Sequence, residues 1–234
     1  FKEKLINIKN VPKEKVILIP NAADFSLAEK IQKDSSFNAL DFKKELGFEN
    51  KFVITYVGAH GIANHLIQLI DAAEKLKDTN IIFQLIGSGM RKDFLQKEVI
   101  KRNLTNVIFR EPVPKSEIFK FILASDVGAS VLKNVDTFKT IYSNKTFDYM
   151  SCKKPILMVI DGVSRELVET AKCGIFAEPE NSLSIAEKSK EMNAIDKSDL
   201  KLMGLNGYCY AKENFDRKEL SKKYICEIIN IIND

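Results

Sequence analysis

Apolar and amphipathic stretches alternate along almost the whole chain. The apolar stretches are nearly continuous in Val, Ile, Leu and Phe, which is typical of strands buried on both faces. Seven such stretches predict strands: residues 15–20, 51–58, 80–87, 106–111, 126–132, 154–160 and 174–178. Strands of this kind need helices on both sides of the sheet, so the segments between them decide the fold class.

Those intervening segments carry the period of helices with one apolar face. In residues 66–76 the shared apolar face is Leu66, Leu69, Ile70, Ala73 and Leu76. The other predicted helices are residues 91–102, 115–124, 143–152, 163–172, 182–192, 197–214 and 216–232. Strands that alternate with helices through short links predict a parallel sheet. We therefore expect one domain over residues 1–234, a doubly wound, Rossmann-like α/β fold that ends in two helices.

The two ends of the chain and one internal segment add further expectations. Residues 20–50 are poorly patterned and predict a loop with one short helix. Asp216 is placed to be the N-cap of the last helix. The chain opens at Phe1 inside a helical pattern, so we expect it to have been cut from something longer.

Composition narrows the class of protein without naming its chemistry. The 234 residues are 45% hydrophobic and 29% charged, with a formal net charge of +4. This charge is too mild and too dispersed to predict a nucleic-acid partner. Four isolated cysteines favour a reduced, cytoplasmic compartment. No apolar run approaches the ~20 residues that a membrane span requires.

Candidate chemistry lies at the carboxyl ends of the strands, where doubly wound sheets bind ligands. After strand 51–58 come Gly58 and Gly61, ahead of a helix whose first turn has free N–H groups. This arrangement predicts an anion site, with a plain tight turn as the alternative. A second glycine loop, residues 87–93, and the Pro-rich loop 110–114 follow the next two strands. The Pro-rich loop offers main-chain groups to a flat heterocycle, although it could be simply a connection.

The segment "SNKTFDYM" (143–150) carries the most specific pattern. If Ser143 caps the helix, the first turn and Lys145 together suit a phosphate. Asp148 lies one turn further on the same face, and its carboxylate could accept hydrogen bonds from two vicinal hydroxyls. The pair predicts a nucleotide diphosphate site. The alternative is a helical Lys–Asp ion pair worth a few tenths of a kcal/mol.

Signals for metal or nucleophilic chemistry are missing from the sequence. His60 and His65 are the only histidines, and neither has a partner for either chemistry. No Gly-x-Ser-x-Gly, Walker-type or Cys-x-x-Cys motif occurs. We therefore expect no metal and no cofactor, and the residues alone name no catalytic group.

Five segments in order resemble the C-terminal, donor-binding domain of a GT-B glycosyltransferase of family 4. They are "ITYVGAHGIANHLIQLIDAAEKL", "FQLIGSGMRKDFLQKEV", "NVIFREPVPKSEIFKFILASDVGAS", "SNKTFDYMSCKKPILMV" and "GVSRELVETAKCGIFAEPEN". The likeness runs from "KVILIPNAADF" to "ENFDRKELSKKY", nearly the whole chain. A subgroup similar to capsule and O-antigen aminosugar transferases is nearest, since it carries Ser-Lys before an "F(E/D)YM" helix.

The resemblance implies a role for each matching residue. Asp148 would hold the ribose, Lys145 would be the main cation for the diphosphate, and the Arg110–Val113 loop would hold the base. The implied diphosphate residues are Gly58, Gly61, Asn64, Ser143, Asn144 and Lys145; the implied base residues are Arg110 and Val113. Three positions depart from the family. Thr140 stands where a first acidic residue would contact the donor sugar, and Ala59 and Asn64 stand where many members carry Arg and Lys.

The resemblance also implies an activity and its partners. The expected enzyme is a retaining, metal-independent hexosyl- or N-acetylhexosaminyltransferase that uses a UDP-sugar and makes bacterial surface polysaccharide or glycolipid. Its own N-terminal acceptor domain, expected to be absent here, would bind a lipid-linked acceptor at the inner face of the membrane, so the isolated chain would be inactive. Two alternatives stay open: a GT-B nucleotide-sugar epimerase, for which acid and base residues are not found, and a degenerate domain used for interaction, which Thr140, Ala59 and Asn64 favour.

Overall fold

The computed structural model of the chain describes residues 2–233. Its centre is one sheet of six parallel strands: β1 (Phe52–Val57), β2 (Ile81–Ile86), β3 (Val107–Arg110), β4 (Val127–Val131), β5 (Ile156–Val159) and β6 (Gly174–Phe176). The strand order across the sheet is β3-β2-β1-β4-β5-β6. The predicted doubly wound α/β fold is confirmed.

Eleven helices are described. They are α1 (Lys2–Asn7), α2 (Phe25–Lys33), α3 (Ala39–Glu45), α4 (Ile67–Glu74), α5 (Lys92–Lys101), α6 (Lys115–Ala124), α7 (Asn144–Ser151), α8 (Val163–Thr170), α9 (Ser182–Ala194), α10 (Lys197–Asn214) and α11 (Arg217–Asn233). Short 3-10 helices span Lys13–Lys15 and Asp136–Thr140. Among residues 2–233, no helix combines the length and the apolar character needed to cross a bilayer.

The sheet is packed on both faces. On one face α4, α5 and α9 bury residues such as Leu69 and Phe83, and on the other α6, α7 and α8 bury residues such as Phe119 and Phe147. Each of these four side chains is fully shielded from solvent. Burial on both faces explains why the strands are near-continuously apolar, because neither face of the sheet meets water.

The chain reverses its direction of travel across the sheet between β1 and β4. From β1 it moves outward through β2 to β3, and it then returns to form β4 on the other side of β1. The loops that follow β1 and β4 therefore lead away from each other at the carboxyl edge. Such a switch point leaves a crevice, and this is where doubly wound sheets bind ligands.

The predicted strand at residues 15–20 is wrong. Residues 16–20 belong to no strand or helix, and Ile17 and Leu18 are exposed. The sheet runs from β3 to β6 and does not include this segment, which pairs with neither edge strand. The chain is held a few residues later, where Ala23 and Asp216 form an isolated parallel bridge.

The segment 20–50 contains two helices rather than the single short one expected. Each begins at a polar N-cap: the Asp24 side chain accepts a hydrogen bond from the Ser26 N–H at 3.2 Å, and Asn38 accepts from the Leu40 N–H at 2.9 Å. These caps were visible in the sequence, since Asp and Asn are favoured N-caps. Both helices are too short for the spacing of their apolar residues to be recognised in the sequence.

The predictions for the chain ends have different outcomes. The Asp216 side chain accepts a hydrogen bond from the Lys218 N–H at 2.8 Å, so its role as the N-cap of the last helix is confirmed. The prediction that the chain opens inside a helix concerns Phe1, which lies outside the described residues; α1 begins at Lys2.

Candidate functional site

Two adjoining clefts lie beside the switch point. The first, which we call the sheet-edge cleft, has a volume of about 510 Å³ and is lined by Val57, Gly58, Ala59, Ile86, Gly87, Ser88, Pro112, Val113, Lys115, Ile118 and Asp148. The second, the outer cleft, has a volume of about 440 Å³ and is lined by Ile19, Pro20, Asn21, Ala22, Lys115, Asn144, Asp148, Arg217, Leu220, Ser221 and Tyr224. Lys115 and Asp148 line both clefts, so one charged pair marks the boundary between them.

Lys145 lies at the start of α7, two residues after the N-cap position Ser143. Its Nζ is 5.0 Å from the centre of the Tyr56 ring, and it donates a long hydrogen bond of 3.4 Å to the Ser143 Oγ. Its Cε is 3.5 Å from the point that a Cβ on Gly58 would occupy. The ammonium is therefore held against the glycine loop of β1, although the two elements are far apart in sequence.

Burial shapes the charge of Lys145. It lowers the pKa of the ammonium to about 8, against a smaller opposing effect of the Asp148 carboxylate. A cation that is partly stripped of water, with one weak polar partner, gains most from an anionic ligand that can replace the lost hydration.

Asp148 lies between the two clefts. Burial raises the pKa of its carboxyl group, and the nearby Lys115 acts in the opposite direction. Within residues 2–233, the cation found within 4.0 Å of this carboxylate is Lys115, whose Nζ is 3.8 Å from Oδ1. The alternative that Lys145 and Asp148 simply form an ion pair on the helix is therefore wrong.

The glycine loops bring main chain directly to the wall of the sheet-edge cleft. Gly58 and Gly87 have backbone φ values of 139° and 146°, a region that residues other than glycine rarely adopt. A Cβ on Gly87 would collide with the carbonyl oxygen of Gly58. The loops after β1 and β2 can therefore touch only because Gly87 lacks a side chain, and this contact leaves a bare backbone surface for a ligand.

Some of the predicted site residues meet in these clefts. Gly58, Val113 and Asp148 line the sheet-edge cleft, and Asn144 lines the outer cleft. Ser143 is buried beside Lys145, and neither of these two is among the residues that line the clefts.

Four other predicted residues do not line either cleft. Gly61 and Asn64 contact each other further along the β1 loop, with the Asn64 Nδ2 3.7 Å from the point of a Gly61 Cβ. The exposed Thr140 donates its hydroxyl hydrogen bond to the Thr137 carbonyl at 2.8 Å, within its own 3-10 helix.

The side chain of the fourth, Arg110, is directed elsewhere. Its Nε donates to the Gln84 Oε1 at 2.6 Å, and its guanidinium lies 5.6 Å from the ring centres of Phe48 and Phe121. None of these partners lines the clefts, so this guanidinium cannot contact a base there. Val113 and the main chain of the loop after β3 remain available for the predicted base contact.

Several cleft residues were missed by reasoning from the sequence. Lys115 directly follows the Pro-rich loop, so the rule that collects the carboxyl ends of strands could have found it. Asn21 and Arg217 had no such signal, because the bridge between Ala23 and Asp216 brings their segments together.

The second glycine loop carries a cation that the structure turns away from the clefts. The Lys92 ammonium pairs with Glu111 at 2.7 Å and does not line either cleft.

His60 is fully buried under the glycine loops. Among the described residues it stands out because neither ring nitrogen has a hydrogen-bond partner. Burial, with a further contribution from Lys92, lowers the pKa of His60 to about 4, so the imidazole is neutral near pH 7. Within residues 2–233, no cluster of three His, Cys, Asp or Glu side chains could hold a metal ion.

The family follows from a match to a family model. Residues 38–203, which contain the whole sheet and both glycine loops, match the family described as "Glycosyl transferases group 1". The chain belongs to this family. The predicted resemblance to a GT-B glycosyltransferase is confirmed.

One curated relative is the putative colanic acid biosynthesis glycosyl transferase WcaI of Escherichia coli (strain K12). It is 34% identical over 101 residues, which is 43% of this chain and 24% of the relative. The aligned region spans only about a quarter of the length of that relative.

Solved structures show the same fold. A glycosyltransferase from Rickettsia africae ESF-5 superposes with a TM-score of 0.82 at 16% identity, covering 100% of this chain and 62% of the other. Anabaena Alr3699/HepE, solved in complex with UDP-glucose, superposes with a TM-score of 0.78 at 21% identity, covering 93% of this chain and 58% of the other. This chain spans about three fifths of each.

Proposed function

We propose that the chain is the donor-binding part of a nucleotide-sugar-dependent glycosyltransferase and that its donor is a UDP-sugar. One observation carries the proposal: the Lys145 ammonium lies beside the bare backbone of Gly58, one helical turn from a carboxylate that borders the cleft at the switch point. A cation and main-chain donors suit a diphosphate, and a nearby carboxylate suits the ribose. The UDP-glucose bound to the structurally similar Alr3699/HepE supports this choice.

In this proposal the diphosphate binds between the start of α7 and the β1 loop. The first turn of α7 leaves main-chain N–H groups without partners inside the helix, and the helix dipole favours negative charge there. Lys145 adds a charge-assisted hydrogen bond worth about 1.5–3 kcal/mol. Because Ala59 and Asn64 supply no charge, Lys145 is the main cation for the diphosphate.

The ribose and base extend along the sheet-edge cleft. Asp148 accepts hydrogen bonds from the two ribose hydroxyls, and Lys115 balances its charge from 3.8 Å away. The base lies between the loop that contains Gly87 and Ser88 and the loop that contains Val113. Since Arg110 points elsewhere, main-chain groups of the loop after β3 read the edge of the base.

The remaining parts of the reaction belong to residues beyond this chain. The proposed reaction retains the configuration of a hexosyl or N-acetylhexosaminyl group, and a separate N-terminal domain supplies the acceptor. The name of the relative WcaI, with its colanic acid pathway, supports a role in surface polysaccharide. A lipid-linked acceptor would place the enzyme at the inner face of the membrane.

One observation favours a second candidate, a degenerate domain that serves only as an interaction module. The hydroxyl of Thr140, which stands at the expected sugar contact, is used within its own 3-10 helix and does not line a cleft. This candidate predicts no nucleotide binding, so a single titration separates the two.

The test is a calorimetric titration of the chain with UDP. We expect the unchanged chain to bind UDP and Lys145→Ala to weaken binding by about tenfold or more, the equivalent of one charge-assisted hydrogen bond. Lys139→Ala is the matched control, because Lys139 lies after β4 on the same edge of the sheet and pairs with Asp136 at 3.1 Å. It should change the affinity less than about twofold, as expected for an exposed charge.

The outcomes are distinct. Absence of UDP binding in the folded chain would reject the donor site and favour the interaction module. Equal losses in the two lysine variants would show that Lys145 acts only through the overall charge of the chain.

A further inference from the structure

Tyr56 is a polar side chain that is fully buried beneath the proposed diphosphate site. Its hydroxyl donates a hydrogen bond to the Ala59 carbonyl at 2.9 Å. The same hydroxyl is 3.3 Å from the point that a Cβ on Gly58 would occupy. The end of β1 is thereby tied to the loop that follows it, and the tie lies directly under the glycine.

The ring of Tyr56 also contacts helix α7, through Lys145. The Lys145 ammonium lies 5.0 Å from the ring centre, which is within the range of a cation–π interaction. The other contact of that ammonium is the long 3.4 Å hydrogen bond to Ser143. A long, flexible lysine side chain loses rotamer freedom when it is held in one place, and the ring is the larger of the two surfaces that hold it.

We propose that Tyr56 is a positioning residue, whose ring holds the Lys145 ammonium and whose hydroxyl holds the β1 glycine loop, so that both halves of the anion site are set before a ligand arrives. Tyr56 itself does not touch the ligand. This role rests in part on the proposed function, since the anion is taken to be the diphosphate of the donor.

The surroundings of Tyr56 are stiff enough for this role. One residue further along β1, the Val57 N–H donates to the Tyr149 hydroxyl at 3.1 Å, and that hydroxyl donates to the Ala129 carbonyl at 3.1 Å. β1 and β4 are thus linked at the switch point through α7. A ring on such a frame can fix the position of a neighbouring charge.

The charged and titratable groups around Lys145 define the expected pH behaviour. They include Tyr56 itself and Asp148, with Lys115 beyond the carboxylate, and His60, whose ring centre is 6.1 Å from that of Tyr56 and which is neutral near pH 7. Burial raises the pKa of Tyr56 far above neutrality, so its hydroxyl stays protonated and remains the donor to Ala59. A cation–π contact favours the charged lysine. Removal of the ring should therefore lower the pKa of Lys145 further below about 8.

The first measurement needs no ligand. Lysine labelled with ¹³C at Cε is followed by NMR as the pH rises, and the Lys145 signal is assigned by its absence in Lys145→Ala. We expect Tyr56→Phe, which keeps the ring, to leave the Lys145 midpoint unchanged and Tyr56→Leu to move it to lower pH. If Tyr56→Leu does not fold, a ring-fluorinated phenylalanine at position 56 weakens the ring's attraction for a cation at nearly constant shape, and the same shift is expected.

The second measurement is UDP affinity. Tyr56→Leu should weaken binding by between about twofold and thirtyfold, and Tyr56→Phe should weaken it severalfold through the glycine loop alone. Tyr208→Leu is the matched control, because Tyr208 holds the Lys153 ammonium at 4.8 Å and donates to Glu29 at 3.2 Å, away from both clefts. It should alter neither the Lys145 titration nor the affinity.

An unchanged Lys145 midpoint in folded Tyr56→Leu, or in the variant with the fluorinated ring, would overturn the proposal. A tyrosine with a purely structural role would lower the stability of the fold when replaced, without moving that titration. If the unchanged chain fails to bind UDP, the proposed function is rejected, yet the ligand-free titration still decides whether Tyr56 holds Lys145.

Discussion

In the unliganded chain, burial destabilises the charged form of the Lys145 side chain and lowers its pKa to about 8. A bound diphosphate favours the charged form and must raise this pKa. Binding is therefore strongest below pH 8 and weakens as the pH rises through the pKa of the free lysine toward that of the bound one. We expect the UDP affinity, measured by calorimetry between pH 7 and 9.5, to decrease above pH 8.

The control for this pH dependence is Lys145→Met, which keeps a long side chain without a titratable group. Its UDP affinity should be lower throughout and nearly independent of pH over the same range. A slope equal to that of the unchanged chain would assign the titration to another group.

Asp148 supports a second prediction at the scale of single residues. Asp148→Asn keeps the shape but removes the charge that strengthens two hydroxyl hydrogen bonds, each worth about 1.5–3 kcal/mol when charge-assisted. UDP binding should weaken about tenfold or more, whereas a 2′,3′-dideoxy analogue should barely respond. Parallel titrations of both ligands measure the difference. Equal losses would indicate that Asp148 acts through the fold, for instance through its pairing with Lys115.

At the scale of elements, the contact between the loops after β1 and β2 depends on glycine. Gly87 has a φ of 146°, and a Cβ atom added at this position would collide with the Gly58 carbonyl oxygen. Gly87→Ala should lower the free energy of unfolding and also weaken UDP binding, because the loop after β2 must move out of the cleft wall. Chemical denaturation and calorimetry measure the two effects.

Gly47→Ala is the matched control for that variant. Gly47 also has a positive φ, 79°, but nothing lies within 4 Å of its Cβ position. Gly47→Ala should lower the free energy of unfolding by about 1–3 kcal/mol, through backbone strain alone. Its UDP affinity should be unchanged. If Gly87→Ala costs no more than Gly47→Ala and keeps its affinity, the two loops are less tightly packed than the structure indicates.

At the scale of the whole molecule, helix α11 leaves several large apolar side chains exposed to solvent. The exposed residues include Tyr224 (56%), Ile228 (39%), Ile229 (49%) and Ile232 (75%). Exposed apolar side chains grouped on one helix are typical of an interface, and the proposed acceptor domain is their expected partner. The alternative, that α11 caps its own domain, would require these side chains to be buried against it.

The corresponding prediction concerns catalysis. We expect the 234-residue chain to bind UDP but to transfer no sugar, because residues 2–233 form only the proposed donor-binding part and the reaction needs a closed cleft that excludes water. A radiolabelled UDP-sugar and a crude lipid acceptor fraction provide the assay. Donor-dependent glycosylation by this chain alone would contradict the prediction.

The sequence by itself determined the sheet, most of its helices and the segment that carries the site. The alternation of buried strands and amphipathic helices is a local pattern, and local periodicity follows directly from the geometry of each element. Lys145 and Asp148 were singled out as candidates for the same reason, since a separation of three residues in a helix places two side chains on one face. The expected strand at 15–20 failed because pairing needs a neighbour, which no local pattern provides.

Only the tertiary structure decided where the side chains point and what they meet. Arg110 leaves the cleft for Gln84 and two aromatic rings, while Lys115 reaches Asp148 from another element. Tyr56 comes to lie beneath Lys145, some ninety positions away in the chain, because β1 and β4 are adjacent in the sheet. Such contacts arise between elements that are distant in sequence, so packing of the complete fold selects them, and no spacing within one element encodes them.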